Sequence, residues 1–290
     1  MRIFYSPRFL EHKQVPGHPE CPERLEAILE YLRGSDLKYE IAEPESIDEK
    51  ELLAIHTEEH IGRVKQLCDE EVILPDNRFS RKTFEAAKLA AGASWQAAEH
   101  ALKEREFAFA LVRPPGHHAG RDFFGGFCYF NNLAFAVRKC AKRTLIIDID
   151  VHFGNGTQDI FYDDEKVFYL SLHQDTSTIF PGTRFDREDN EHVRNVPLPP
   201  GTGDTEYLEA FEVSLEKVRE FKPELVAISM GFDTSAHCPV ASMGIEKSST
   251  YLEFGRMIDR FRCPKFACLE GGYHLPELGK NTYSFLKAFG

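Results

Sequence analysis

Short apolar runs alternate with helix-periodic segments along this chain. Four of the runs end in polar segments rich in glycine or histidine. The runs are Arg2–Tyr5, Phe107–Val112, Thr144–Asp148, Val167–Leu172, Leu225–Met230 and Phe266–Leu269. Between them lie Pro22–Leu32, Glu58–Leu67, Arg81–Lys103, Asn131–Ala141, Asp204–Phe221 and Ser248–Phe261, all with helical periodicity. Such alternation predicts an α/β fold, a mostly parallel sheet with helices on both faces. Ser80 before the third helix and Pro22 at the first are start signals. Pro223 stops the Asp204 helix ahead of a strand. The Pro- and Gly-rich stretches 113–126 and 197–203 are too short to be linkers, so residues 1–290 read as a single domain.

In an open parallel sheet, ligands sit at the carboxyl ends of the strands. Phe107–Val112 is followed by RPPGHHAG, and Thr144–Ile147 runs into DIDVHFGNG. Leu225–Ser229 runs into MGFDTSAH, and Phe266–Leu269 into EGGYH. Four strands therefore deliver polar groups to one edge.

Asp148, Asp150 and His152 alternate on an extended segment, and period-two spacing puts all three on one face. A catalytic zinc needs three protein ligands and an open position for water. Asp150 and His152 can supply two, and Asp233 the third. By itself a DxDxH string also fits a buried carboxylate beside a core histidine. His117 and His118 are adjacent, and neighbouring imidazoles with different partners can divide proton transfer between them. Tyr273 follows Gly271 and Gly272, where its hydroxyl could donate to an oxyanion. A tyrosine simply packed after a strand is the plainer alternative.

Formal net charge is -12, which argues against a general nucleic-acid binder and suits either a cationic substrate or solubility alone. The seven cysteines show irregular spacing and no CxxC, so neither a disulfide framework nor a cysteine zinc site is expected. Cys128, Cys140 and Cys268 lie in apolar stretches and are expected in the core. The N-terminus lacks a signal-peptide apolar stretch, and no run reaches the ~18 apolar residues of a membrane helix. A cytoplasmic enzyme with no membrane partner is the expectation.

Together, GHPECPERL, RPPGHHAG, GGFCYFNN, DIDVHFGNGTQDIFY, SLHQ, IFPGT, GFD and LEGGYHLPELG resemble the histone deacetylase superfamily. The motifs run in family order from about Met1 to Gly290. HFGNGTQDIFY and EGGY with PELG look most like class II deacetylases and acetylpolyamine amidohydrolases. The resemblance implies an arginase-like fold with one eight-stranded parallel sheet. It implies a zinc-dependent deacetylase acting on an acetylated lysine peptide or protein, or on an acetylated polyamine. Asp150, His152 and Asp233 match the zinc ligands. His118 matches the general base and acid, His117 its electrostatic partner, and Asp148 the carboxylate behind His117. Tyr273 matches the catalytic tyrosine. Phe127 and Phe180, with Gly126, match the substrate tunnel, and Arg24 an arginine by an acetate-release channel. Asp148, Asp150, His152, Ser171 and Leu172 match a structural potassium (K+) site. Phe161 and Val167 fall in a second potassium loop.

Two positions depart from the common pattern. Phe153 stands where many relatives carry a second histidine that is not a ligand, so activity should survive. Asn155 stands where class I enzymes have Asp, which should leave His118 with a lower pKa. The polyamine enzymes carry a long insertion before the third helix, whereas only Glu71–Ser80 is available here. A more open site, favouring acetyl-lysine, is expected, with Asp76 at its rim. His237 and Cys238 are expected near the opening without catalytic roles. Rival functions are an inactive acetyl-lysine binding protein and a dimanganese hydrolase. Fe²⁺ could also occupy an Asp₂His site. A monomer or a small homo-oligomer is compatible with the chain.

Overall fold

The computed structural model describes residues Met1–Gly290. Eight strands form one sheet: β1 Arg2–Phe4, β2 Glu40–Ala42, β3 Ala108–Ala110, β4 Thr144–Asp148, β5 Val167–Gln174, β6 Val193–Leu198, β7 Leu225–Met230 and β8 Lys265–Leu269. Their order is β2-β1-β3-β8-β7-β4-β5-β6, and every pairing is parallel. This is the arginase- and deacetylase-like architecture that the motifs imply. β3, β4 and β7 are buried at every residue, as befits strands covered on both faces.

The helices are α1 Glu23–Arg33, α2 Glu58–Asp69, α3 Thr83–Glu104, α4 Asn132–Cys140, α5 Asn155–Phe161, α6 Asp204–Lys217, α7 Ser248–Asp259 and α8 Leu275–Leu286. One group packs α3 on α4, and another packs α8 on α1 and α7. Small residues on α3, among them Ala87, Ala90, Ala91 and Ala97, are fully buried and let it lie close to its neighbours. Thr57 caps α2 by accepting from the His60 N–H, and Asn131 caps α4 by accepting from the Ala134 N–H.

Some boundaries differ from the sequence expectation. The third helix begins at Thr83, because Thr83 and Ser80 first close a turn through their hydroxyls and backbone. The Asp204 segment is α-helical only to Lys217 and ends in a 3₁₀ turn, Arg219–Phe221. Cys128 and Cys268 are buried, but Cys140 is only partly so. It closes α4 and packs on the core from its edge.

Two buried histidines lie outside the Asp150–His152–Asp233 group. His56 Nδ1 donates to the Gly120 carbonyl at 2.7 Å, and its Nε2 accepts from the Asn131 N–H at 3.1 Å. Burial first, then the neighbouring His60, pushes His56 down to about 3. Burial likewise pushes His173 down to about 3. A depressed folded-state pKa means that the unfolded chain takes up a proton that the folded chain refuses. Stability should therefore fall as pH drops below 6.5, the unshifted histidine value, by about 1.4 kcal/mol per pH unit for each histidine. Urea unfolding between pH 7 and 5 measures the slope. His56→Gln, whose amide can replace both hydrogen bonds, should lower it by about one proton. An unchanged slope would contradict the assignment.

Candidate active site

The four central neighbours β3, β8, β7 and β4 carry the site at their carboxyl ends. β4 runs into Asp148, Asp150 and His152, and β7 into Asp233. β8 leads to Glu270 and Tyr273, and β3 to His117 and His118. Adjacent parallel strands make these segments converge although they lie far apart in sequence.

Asp150, His152 and Asp233 offer ligand atoms that all lie within 4.8 Å of one another, and all three residues are buried. His152 Nδ1 is 3.0 Å from Asp150 Oδ1 and 3.2 Å from Asp233 Oδ2. Asp233 Oδ2 is buried without a hydrogen-bond partner. A buried carboxylate oxygen so placed is costly unless a cation completes it. Burial and the charge of Asp150 push the Asp233 carboxyl up. For Asp150 burial opposes ionisation, but His117 and His152 outweigh it and hold that carboxyl low. Two carboxylates and an imidazole suit Zn²⁺ with an open position, so the donor set fits the metal.

The paired histidines sit in different fields. His117 Nδ1 lies 3.2 Å from Asp148 Oδ2, which also accepts from the Tyr169 hydroxyl at 3.1 Å. Burial disfavours the imidazolium of His117, but Asp150 and Asp148 overcome it and raise the group to about 10. A divalent cation on Asp150 would neutralise part of that field and leave Asp148 as the main counter-charge. His118 Nδ1 donates to Asn155 Oδ1 at 2.7 Å. Burial and the charges of His117 and His152 push His118 well below the ordinary histidine value. His118 is thus neutral at pH 7, with Nε2 free to accept a proton. Asn155 adds no negative charge, in line with the low pKa.

Tyr273 is buried, and burial raises its hydroxyl well above the usual tyrosine value. It stays protonated at neutral pH. The Arg24 guanidinium lies 4.8 Å from its ring centroid. Arg24 also donates to the carbonyls of Gly272 at 2.7 Å and Glu270 at 2.6 Å, so it braces the turn before Tyr273. Gly272 has φ +120°, which L side chains avoid. Glu20 anchors Arg24 and makes a two-pronged ion pair with Arg113.

A cavity of about 160 Å³ opens over this group. Phe127, Phe180, Ile179 and Val240 form its apolar walls; His118, His152, Tyr273, Gly126 and Asp76 complete the lining. Gly126 has φ +51°, and a Cβ there would strike the rings of His118 and Phe180. Phe127 stands edge-on to Tyr273 at 5.9 Å, and Phe180 edge-on to His118 at 4.8 Å. Four larger clefts, of about 330, 410, 460 and 510 Å³, lie elsewhere on the surface and contain no histidine.

Other expected residues are less central. Phe153 is buried against His173, with ring centroids 4.9 Å apart. Asp148 and Ser171 are register partners. Ser171 Oγ lies 2.8 Å from His173 Nδ1, and the Leu172 carbonyl accepts from the Tyr207 hydroxyl. Phe161 and Val167 are buried at the end of α5 and the start of β5. His237 is exposed and Cys238 is buried, and neither lines the cavity. Val240, from the same loop, does. Val240, Ile179 and Glu270 are additions from the structure, since contact across loops has no mark in local sequence. EGGYH contained Glu270, but nothing in its spacing showed which groups the carboxylate faces.

A buried Asp₂His cluster beside a neutral histidine and a protonated tyrosine is equipped for metal-assisted hydrolysis. The comparisons with known proteins agree. A family model of the histone deacetylase domain matches residues 18–289. A probable deacetylase of Archaeoglobus fulgidus is 37% identical over 93% of this chain and 80% of its own length. The acetylpolyamine amidohydrolase of Mycoplana ramosa is 37% identical over 78% of this chain and 68% of its own. Among solved structures, the HDA15 HD domain superposes with a TM-score of 0.90 at 31% identity, covering 100% of this chain and 90% of that one. An acetylpolyamine aminohydrolase from Burkholderia pseudomallei gives 0.89 at 26% identity, over 100% and 98%. The chain belongs to the histone deacetylase superfamily, on its class II and acetylpolyamine amidohydrolase-like side.

Proposed function

We propose that this chain is a zinc-dependent deacetylase, one catalytic domain over residues 1–290, that hydrolyses the acetyl amide of acetyl-lysine in peptides or proteins. The juxtaposition of the buried Asp150–His152–Asp233 cluster with His118 and Tyr273 at the base of an apolar cavity carries this reading. Asp150, His152 and Asp233 would hold the zinc. When bound, it supplies a Lewis acid for the acetyl carbonyl and acidifies water.

The protein's own groups do the rest. Phe127 and Phe180 flank the alkyl stem and exclude water. His118 Nε2 takes a proton from the attacking water, with Asn155 fixing the tautomer. The Tyr273 hydroxyl donates to the developing oxyanion. His118 then returns its proton to the departing amine. His117, held charged by Asp148, adds positive potential beside this centre. Arg24, in contact with the carbonyls below Tyr273, is assigned to the acetate exit.

The cavity mouth favours acetyl-lysine. Its walls are apolar, and Asp76 is the one carboxylate in its lining. The carboxylate can accept a peptide N–H, while the apolar walls offer the ammonium end of a free polyamine no other counter-charge. Relatives named acetylpolyamine amidohydrolases support the second reading. Acetate release from an acetyl-lysine peptide should exceed that from N-acetylputrescine at least ~10-fold in kcat/KM, a difference of about 1.4 kcal/mol. Comparable values would overturn the preference.

K⁺ is assigned to the cluster of Asp148, Asp150, His152, Ser171 and Leu172. His173 is held neutral, so the Ser171 hydroxyl can donate to it and keep lone pairs for a cation. KCl should raise Tm above an equal concentration of NaCl; equal Tm values would remove the assignment.

A further inference from the structure

We propose that Glu270 is a positioning residue, whose carboxylate holds the backbone of the His117–His118 turn in register with the metal-ligand group. This rests on the deacetylase reading above. The residue is fully buried at the end of β8. Its Oε2 accepts the N–H of Gly116 at 2.7 Å and of His117 at 3.2 Å. Its Oε1 is 3.5 Å from the hydroxyl of Ser229, the penultimate residue of β7, the strand that leads to Asp233. One side chain thus links the turn after β3 to the strand that leads to a ligand.

The remaining contacts of this turn come from other directions. Asn132 Nδ2 donates to the Pro114 carbonyl. The N–H groups of Gly156 and Thr157 donate to the His117 carbonyl. Asn155 holds the His118 ring. Those contacts leave the N–H groups of Gly116 and His117 pointing toward β8, into the interior. A buried N–H without an acceptor is costly. One side-chain oxygen placed between the two groups fixes both.

A burial of this kind has a cost. Desolvation raises the Glu270 carboxyl to about 7 against the opposing charge of His117. A residue serving packing alone would be better apolar at this place.

The experiment compares Glu270→Gln with Glu270→Ala. Gln keeps an acceptor for the two N–H groups, and its amide can donate to Ser229. Ala keeps neither. Steady-state kinetics on an acetyl-lysine peptide are run well below each Tm, with zinc content measured for every protein. Amide exchange is followed at Gly116 and His117. Glu270→Ala should lower kcat roughly 10- to 100-fold with KM within about 2-fold, the signature of a misplaced catalytic group. Zinc should stay at one per chain, and exchange should accelerate at those two amides beyond any general change. Glu270→Gln should restore most of kcat and the protection. Wild-type kcat in Glu270→Ala, or equal losses in both variants, would overturn the proposal. The exchange arm reads the turn even where wild type shows no turnover, which would instead count against the deacetylase reading.

Discussion

Tyr273→Phe is expected to lower kcat by roughly 10²- to 10³-fold. KM should stay within about a factor of two, because the substitution leaves ground-state contacts in place. The ring is fixed independently of its hydroxyl. Arg24 lies over one face, and Phe127 stands edge-on. Phenylalanine can occupy the same volume, so the variant should fold like wild type. Only the donor is removed, and burial keeps that donor protonated across neutral pH. Turnover within a few-fold of wild type would mean that Tyr273 packs and does nothing more, the plainer alternative that its sequence position allowed.

His118→Ala is the second large effect, a loss of about 10²- to 10⁴-fold in kcat. His118 has a neutral ring with Nδ1 committed to Asn155, so Nε2 is the open base. His117 cannot substitute for it, because its Nδ1 is committed to Asp148, which favours the protonated ring. Zinc content should be unchanged, since His118 is not one of the three ligands. Retained activity, or activity lost together with zinc, would contradict the division of labour between the two histidines.

The central strands were legible because they are continuous apolar runs covered on both faces. Thr144–Asp148 and Leu225–Met230 match residue for residue. The edge strands were not. Glu40–Ala42 is three residues long, with little burial to pattern it. Val193–Leu198 contains Pro197, which an edge strand tolerates because the missing N–H would face solvent. Asn155–Phe161 is short and almost wholly buried, so it shows no polar face. Leu275–Leu286 begins directly after the EGGYH motif and carries Gly279, which weakens its helical pattern.

The site was legible where chemistry follows strand ends. Asp150, His152 and Asp233 share one cluster because β4 and β7 are neighbours. Strand order decides that, and local sequence does not encode it. Ile179 and Val240 reach the cavity only through loop packing. The direction of each pKa was equally invisible, since His117 and His118 differ by what faces them and by nothing in their own sequence.

The most direct test restores zinc stepwise to chelator-stripped protein and follows acetate release from an acetyl-lysine peptide. Release should rise in proportion to bound zinc, saturate at one ion per chain, and stay near background in Tyr273→Phe. Release that persists in the stripped protein, or none at any zinc loading, would contradict a zinc-dependent deacetylase.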